Sequence, residues 1–374
     1  MERAHRDVLN SLAAKGRLRA LKGRCGRDFT SNDYLALAES QALKAAAAEA
    51  SARGVPVGAG GSRLLRGNHP EHEALEEEAA RFFGGEAALY FPTGYAANAA
   101  IALTLPRGGD LILYDSRIHA SFRAGLDPAR IAAAETPHND VDAIETAIRN
   151  FRQTGGKGRV WIAAETLYSM DGDKAPLADL VALARRHEAL LVLDEAHATG
   201  VYGPQGRGLS AEWEGAPDII SLHTCGKALG AMGALVVLPA LYRDFIVNRC
   251  RSFIYSTAPS PLMAALVRAA LRIVAGMEVE RARLQALVHH AGELARAMGV
   301  RASGSQIQPI IVGADANAVA LAEAMQRHGF DIRAIRPPTV PEGTARLRLS
   351  LTLHAGAPIL NDLFAALAAE LEKA

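Results

Sequence analysis

Six short apolar runs alternate with helical patterns through most of the chain. Each run is bounded by polar residues or glycine, as strands are, whereas the segments between the runs repeat their apolar residues at helical spacing. The runs are EAALYF, DLILYD, RVWIAAE, ALLVLDE, DIISLH and GALVVL. This alternation predicts an α/β protein with a mostly parallel sheet that is covered by helices on both faces.

The same patterns divide the chain into three parts. Residues 1–44 predict an N-terminal arm, in which an amphipathic helix precedes the extended segment DFTSNDYLAL, and residues 45–270 predict the large α/β domain. Residues 271–374 predict the end of a long helical region, followed by a small α+β domain with the strand segments IQPIIVG and RLRLSL. The helical region is expected to run from Pro261 to about Met298, and the last helix from about Ile359 to Glu372.

Charge and cysteine content narrow the possible functions. The 374 residues include 41 lysines and arginines and 40 aspartates and glutamates. This balance indicates no broad basic surface for nucleic acid, so small-molecule chemistry is favoured. Cys25, Cys225 and Cys250 form neither a CxxC pair nor an even disulfide set. We therefore expect a reducing cytoplasm and no metal site.

No segment of the sequence predicts membrane insertion or export. The apolar region AALYFPTGYAANAAIALTLP approaches membrane-spanning length, but PTG and Asn98 interrupt it. It is better interpreted as a strand, a turn and a helix. The N-terminus is partly basic but lacks an apolar secretory core, so we expect a cytoplasmic protein.

Two neighbouring strands are followed by side chains that suggest a specific cofactor. Asp194 ends the run ALLVLD, and Lys227 follows the run DIISLH in the segment HTCGKALG. Ligands bind at the carboxyl ends of strands in open α/β sheets, so we expect the acid and the amine to share one crevice. A lysine that forms a Schiff base and an acid that keeps a ring nitrogen protonated are what pyridoxal phosphate requires of its protein. With His197 in LDEAHATG, the pattern predicts a pyridoxal phosphate enzyme.

Each of these signals has a simpler explanation when it stands alone. An aspartate after a strand is more often a helix cap, and a GK dipeptide is usually a turn beside a solvated lysine. A phosphate-binding Walker loop is excluded, because no glycine stands five residues before Gly226.

A second motif, LYFPTGYAANAAIAL, predicts a strand followed by a helix with Thr93 as its N-cap. Backbone N–H groups at such a helix start can bind phosphate, and glycine permits close approach. Gly94 and Tyr95 are therefore candidate phosphate contacts, and Thr224 could add a hydroxyl from a neighbouring strand end. An ordinary capped helix is the alternative.

Two further strand ends offer polar side chains. His119 follows DLILYD and has an imidazole that could stack on a flat heteroaromatic ring or exchange protons. Ser169, in AETLYSMDGD, could donate a hydrogen bond to a cofactor oxygen. A surface histidine and a tight turn are the alternatives.

Taken together, these motifs resemble the α-oxoamine synthase family. The matching segments occur in the family order over nearly the whole chain: SNDYLAL, GAGGSRLLRGNHPEHEALE, PTGYAAN, HAS, ETLYSMDGD, DEAHATGVYGPQGRG, GKALG, IYSTAPSP, IQPII and IRPPTVPEGTARLRLSLT. The resemblance implies a fold-type I pyridoxal phosphate-dependent transferase that acts as a homodimer, with active sites at the subunit interface.

The resemblance also implies a role for each matching residue. Lys227 would bind the cofactor covalently, Asp194 would hold the pyridine nitrogen, and His119 would stack on the ring. His197 and Ser169 would lie at the phenolic oxygen. Gly94, Tyr95 and Thr224 would hold the phosphate, and Thr257 of IYSTAPSP would reach the phosphate of the other subunit. Arg348 would pair with the amino-acid carboxylate, a role that suits a guanidinium, and the remaining substrate contacts would be Arg19, Asn32 and Thr339.

The reaction implied is a decarboxylative condensation of an amino acid with an acyl thioester. GGSRLLRG, the HND at 138–140 and RPPTVPEGTARLRLSLT most resemble the branch that joins L-alanine to a pimeloyl thioester in biotin biosynthesis. Whether CoA or acyl carrier protein carries the acyl group stays open. The alternatives are a glycine C-acetyltransferase or 5-aminolevulinate synthase, a fold-type I lyase such as threonine aldolase, and an inactive subunit of a heterodimer. Retention of Lys227 and Asp194 argues against the last.

A few positions depart from the family pattern. Ala36 and Ala198 stand where the family commonly has glycine, and Glu195 stands where a second aspartate is frequent. The arm between Arg19 and SNDYLAL is shorter than usual. None of these departures removes a reacting group.

Overall fold

A computed structural model describes residues 2–127 and 129–373. Its helices, in chain order, are α1 Glu2–Ala14, α2 Gln41–Ala52, α3 Pro70–Phe83, α4 Gly94–Thr104, α5 Ala120–Arg123, α6 Val141–Gln153, α7 Leu177–Arg186, α8 Ala240–Arg249, α9 Arg251–Ile254, α10 Pro261–Ala275, α11 Glu278–Ala297, α12 Asp315–Arg327 and α13 Ala357–Leu371. A short 3-10 helix spans Pro204–Gly206. No helix among the described residues is long and apolar enough to span a membrane.

The strands belong to three sheets. In chain order they are β1 Arg27–Asp28, β2 Ala87–Phe91, β3 Leu111–Asp115, β4 Ala132–Thr136, β5 Val160–Glu165, β6 Leu190–Asp194, β7 Ile219–Thr224, β8 Ala234–Leu238, β9 Ile307–Gly313, β10 Phe330–Asp331, β11 Ala334–Ile335 and β12 Ala345–Ser350. Contacts divide the chain into two compact units. The larger unit comprises residues 35–169 and 174–278, and the smaller comprises 1–34, 170–173 and 279–374.

The larger unit is built on a seven-stranded sheet with the order β2-β8-β7-β6-β5-β3-β4. The pairs β3–β4, β3–β5, β5–β6 and β6–β7 are parallel, whereas β8 is antiparallel to β2 and β7. The predicted α/β fold with a mostly parallel sheet is therefore confirmed. Strand β4 was not predicted, because its sequence AAAET has a β-branched residue only at its end, Thr136, and its first four side chains are exposed at the sheet edge.

The apolar runs are continuous because both faces of the sheet are buried. In β6, Leu190 and Val192 belong to the core on the side of α4 and α8. Leu191 and Leu193 belong to the core on the side of α6 and α7. Alternate side chains of one strand thus enter two different cores, so every position of β6 must be apolar until its last residue.

The smaller unit joins the beginning of the chain to its end. Strand β12 pairs with β9 and β11 in an antiparallel sheet. The extended segment of the arm contacts the same unit, because β1 forms a separate two-stranded parallel sheet with β10 and Ser350 N donates to Phe29 O. Arg17 anchors the preceding residues through ion pairs with Asp315 and Glu342. These contacts explain why the smaller unit includes the arm up to Tyr34, whereas the sequence predicted a boundary after residue 44.

The helical region expected from Pro261 to about Met298 is broken in the structure. Helix α10 ends at Ala275, with Gly276 as its C-cap, and α11 begins at Glu278. The larger unit ends at Glu278, close to this break, whereas the sequence predicted that the large domain ends at residue 270.

One departure from the family pattern has a backbone consequence. Ala36 has a φ of 54°, in the left-handed region that favours glycine. Ala198 is not among the described residues with positive φ and is fully buried. Of these two positions, the backbone is therefore strained at Ala36 and not at Ala198.

We expect Ala36→Gly to raise the free energy of unfolding by about 0.5–1 kcal/mol, because relief of the left-handed strain exceeds the added entropy of the unfolded chain. Ala198→Gly is the matched control. It should lower the free energy of unfolding by about 1–2 kcal/mol, through the lost buried methyl and the same entropy. Urea unfolding of the two variants measures both changes, and destabilisation by both would contradict the assignment of strain to Ala36.

Candidate active site

The predicted acid and amine lie at the ends of two adjacent strands. Strands β6 and β7 are parallel neighbours, and Asp194 is paired with Leu222 in their register. Lys227 follows the end of β7 by three residues, and its Nζ lies 2.7 Å from His197 Nε2. The amine donates in this contact when Nε2 carries no proton. His197 is 5% exposed and is therefore held in place by its surroundings, so its hydrogen bond orients the amine of Lys227.

Asp194 is a buried carboxylate that receives two hydrogen bonds. The backbone N–H of Ala196 donates to Oδ1 at 2.9 Å. The side-chain amide of Asn98 donates to Oδ2 at 2.6 Å. Two donors of this kind fix the orientation of a carboxyl group. Asp194 is therefore an oriented, buried acid at the end of β6, where the predicted cofactor nitrogen would need one.

A hydrogen-bond chain connects Asp194 to His119. Asn98 Nδ2 also donates to Ser121 Oγ at 3.0 Å, and Ser121 Oγ lies 2.8 Å from His119 Nδ1. Asn98 and Ser121 were not among the site residues predicted from the sequence. A signal was present at Asn98, because an amide four residues after Gly94 interrupts an otherwise alanine-rich helix.

The environment of His119 favours its neutral form. Desolvation of the ring lowers the pKa of His119, the charge of Lys227 lowers it further, and the charge of Asp194 opposes the shift. The side chain stays accessible on its outer face. A neutral, accessible imidazole suits stacking on a positively charged heteroaromatic ring, because no like charges oppose each other.

The start of α4 has the features of a phosphate site. Thr93 caps the helix by accepting the N–H of Ala96, while the N–H groups of Gly94 and Tyr95 bond to no described residue. A Cβ at Gly94 would lie 3.5 Å from Thr224 Oγ1, so the glycine and the threonine are close neighbours. Two N–H groups and a hydroxyl therefore stand together at a helix N-terminus, as phosphate requires.

Strand β5 ends beside β6 at Glu165, and Ser169 follows four residues later. Ser169 is 7% exposed, and its N–H donates to Glu165 Oε2 at 3.0 Å. Glu165 Oε1 is buried and has no hydrogen-bond partner among the described residues. A buried polar atom of this kind fits a site that is completed by a polar cofactor.

A buried histidine links the two catalytic strand ends. His223, near the end of β7, is fully buried, and its Nδ1 lies 2.8 Å from Thr199 Oγ1 in the turn that carries His197. Its Nε2 lies 3.1 Å from Glu214 Oε1. The ring of Phe83 stacks on it with 3.7 Å between the centroids. This scaffold holds the DEAHATG turn against the segment that leads to Lys227.

The predicted substrate residues belong to the smaller unit, where the structure brings two of them together. Arg348 is 7% exposed and donates to Asn32 Oδ1 at 3.1 Å and to Ser350 Oγ at 2.7 Å. Thr339 and Arg19 are exposed, and neither contacts Arg348 or Asn32 among the described contacts.

Thr257, predicted to serve the phosphate of another subunit, lies in the larger unit. It is exposed and forms an isolated β-bridge with Ser62 of the segment GGSRLLRG. The structure thus brings together two segments, IYSTAPSP and GGSRLLRG, that the resemblance assigns to a partner's site. None of the contacts described for Thr257 involves the start of α4.

The fold and this constellation define a fold-type I enzyme that depends on pyridoxal phosphate. The chain belongs to the aminotransferase class I and II family, which matches residues 27–356. It is 44% identical over 327 residues to 8-amino-7-oxononanoate synthase of Geobacter sulfurreducens, covering 86% of this chain and 82% of the relative.

Two solved structures share the fold. The 8-amino-7-oxononanoate synthase of Francisella tularensis is 26% identical with a TM-score of 0.78, over 93% of this chain and 98% of that one. Serine palmitoyltransferase from S. paucimobilis, solved with PLP and myriocin bound, is 25% identical with a TM-score of 0.88, over 99% of this chain and 97% of that one. The predicted class, a pyridoxal phosphate-dependent acyltransferase of the α-oxoamine synthase type, is confirmed.

We expect Lys227→Ala to prevent covalent attachment of the cofactor, because no other amine occupies this position after β7. Electrospray mass after borohydride reduction should show one attached cofactor on the wild type and none on the variant. Lys174→Ala, at an amine after a different strand, is the control and should keep the attachment. A cofactor still bound covalently to the Lys227 variant would move the assignment to another lysine.

We expect Asn98→Ala to weaken cofactor binding by roughly tenfold, because Asp194 loses a charge-assisted hydrogen bond. Asn98→Asp should weaken it further at neutral pH, because it places a second carboxyl against Asp194, and part of the loss should reverse at lower pH as the pair takes up a proton. Titration of apoprotein with pyridoxal phosphate measures both effects. Equal affinities for the two variants at every pH would contradict this role.

Proposed function

We propose that this enzyme condenses L-alanine with a pimeloyl thioester, releasing carbon dioxide and the free thiol and forming 8-amino-7-oxononanoate for biotin biosynthesis. The observation that carries the proposal is the placement of Lys227, His197 and Asp194 at adjacent strand ends. The likeness to 8-amino-7-oxononanoate synthases over most of the chain then favours these substrates.

When bound, pyridoxal phosphate supplies an electron sink for the charge that develops at the α-carbon of the amino acid. Asp194 serves this chemistry by keeping a positive charge on the ring nitrogen. Its two hydrogen bonds, from Ala196 and Asn98, hold the carboxyl group in place.

Lys227 is the proposed base. With cofactor and amino acid bound, Nζ would accept the proton of the substrate α-carbon and would return a proton to the product. His197 Nε2 lies 2.7 Å from this nitrogen and orients it. Proton transfer by a positioned group of this kind contributes roughly 10²–10⁴-fold to the rate.

Arg348 is the proposed partner of the amino-acid carboxylate. Its guanidinium is oriented by Asn32 and Ser350 within the smaller unit. Tyr34 also donates to Asn32 Oδ1, at 3.0 Å, which fixes the amide in turn. A buried, oriented guanidinium suits bidentate recognition of a carboxylate. The roles proposed for Arg19 and Thr339 rest on the resemblance alone.

The protein is proposed to be a cytoplasmic homodimer in which Thr257 serves the phosphate site of the other subunit. The exposure of Thr257 and its bridge to Ser62 support this proposal, because both matching segments are accessible in a single chain. The acyl donor is either pimeloyl-CoA or pimeloyl acyl carrier protein.

We expect alanine with a pimeloyl thioester to give a higher kcat/KM than glycine with acetyl-CoA or succinyl-CoA. Each buried methylene of a long acyl chain adds about 0.8 kcal/mol, so an apolar channel would discriminate strongly against acetyl. Succinyl would bring a carboxylate whose desolvation requires a paired cation. A steady-state series that crosses the two amino acids with the three thioesters measures the preference. A better rate for glycine with a short acyl-CoA would favour a sister activity of the same family.

A further inference from the structure

Three neighbouring strands of the large sheet each end in an acid. Strands β3, β5 and β6 lie side by side and finish at Asp115, Glu165 and Asp194. Glu165 is the middle one and is directly paired with Asp194 in the register of β5 and β6. All three side chains are buried, so their charges oppose one another with little screening by water.

The two outer acids have the partners that a buried carboxylate needs. Asp194 accepts hydrogen bonds from Asn98 and Ala196. Asp115 contacts His138 Nδ1 at 2.9 Å and accepts the N–H groups of Asn139 and Arg117. Burial opposes the shift, but the hydrogen bonds from His138 and these N–H groups lower the pKa of Asp115 overall.

Glu165 lacks such partners. It is 2% exposed, and one backbone N–H, from Ser169, reaches Oε2, whereas Oε1 is buried and unbonded among the described residues. Burial, together with the charges of Asp194 and Asp115, raises the pKa of Glu165 to about 8, against the lowering effects of Lys227 and the Ser169 N–H. A carboxyl in this position holds its proton at neutral pH.

Glu195 shows that burial alone does not produce this arrangement. It is also fully buried, and burial raises its pKa. Both of its oxygens are used, however, because Ser210 N donates to Oε1 at 2.6 Å and Leu209 N donates to Oε2 at 3.0 Å. Glu165 differs in having one oxygen left for a further hydrogen bond.

We propose that Glu165 is a protonated positioning residue of the active site, which holds Ser169 through Oε2 and donates a hydrogen bond from Oε1 to an oxygen of the bound cofactor. The proposal rests on the cofactor of the proposed function and not on its amino acid or thioester. It assigns Glu165, the first residue of ETLYSMDGD, a role beside that of Ser169. The neutral form matters because an ionised Glu165 would add a third negative charge to this edge.

The first test is the protonation state of the apoprotein. At pH 7 the infrared spectrum of the wild type should contain the carbonyl band of a buried protonated carboxyl that Glu165→Gln lacks. The raised pKa also means that the folded protein binds one more proton than the unfolded chain between the ordinary glutamate pKa and about 8. Stability therefore falls as pH rises through this window, and Glu165→Gln should reduce the fall. An unchanged infrared band in Glu165→Gln would overturn the proposal.

The second test is cofactor affinity. Glu165→Gln keeps a neutral donor and an acceptor, so its Kd for pyridoxal phosphate should stay within about threefold of the wild type, whereas Glu165→Leu should raise the Kd about tenfold. Urea unfolding of the apoproteins shows whether the leucine variant is folded, and Glu195→Gln is the control for loss of a different buried carboxyl. Wild-type affinity in a folded Glu165→Leu, or an equal loss in Glu195→Gln, would contradict the role.

These results separate the two proposals. If alanine and pimeloyl thioester are not the substrates, the infrared band and the cofactor affinities keep their expected values. If the wild type binds no pyridoxal phosphate, the affinity test fails for every variant, which overturns both the donor role of Oε1 and the proposed function.

Discussion

The hydrogen bond from Asn98 to Asp194, at 2.6 Å, fixes the orientation of a carboxyl group at a buried strand end. A buried polar group needs such a partner, because leaving it unbonded costs free energy. The same amide binds Ser121, which contacts His119. One side chain of α4 therefore connects the acid proposed to hold the ring nitrogen with the imidazole proposed to stack on the ring. The helix whose start forms the candidate phosphate site also supplies this amide, so its position sets both ends of the cofactor site.

The parallel sheet concentrates charge, and the site depends on how that charge is balanced. Parallel neighbours end at one edge, so acids that are far apart in sequence meet there. The outer acids have hydrogen-bond partners in His138 and Asn98, and Lys227 supplies a positive charge near the middle acid. Asp194 and Glu165 are buried to a similar extent and differ in the number of hydrogen bonds that their side chains accept.

Two arginines of the smaller unit lie on the same strand but have different partners. Both lie in β12, two residues apart, and both are buried. Arg346 forms an ion pair with Asp171 at 2.6 Å, which ties the segment 170–173 to this unit. Arg348 is oriented by neutral oxygens of Asn32 and Ser350. The two arginines of one strand thus serve different contacts, an ion pair within the unit at Arg346 and hydrogen bonds to Asn32 and Ser350 at Arg348.

The sequence by itself determined the α/β class and the strand ends that carry Asp194 and Lys227, because a strand buried on both faces must be apolar along its whole length and polar only where it leaves the core. It also determined the cap at Thr93, which depends on neighbouring residues alone. Tertiary structure decided what depends on partners distant in the chain. Strand β4 forms because β3 offers it an edge, although its alanines carry no strand signal. Asn98 and Glu165 acquire their roles only where α4, β5 and β6 meet, since the charge state of a buried group is set by the donors and charges that surround it in space.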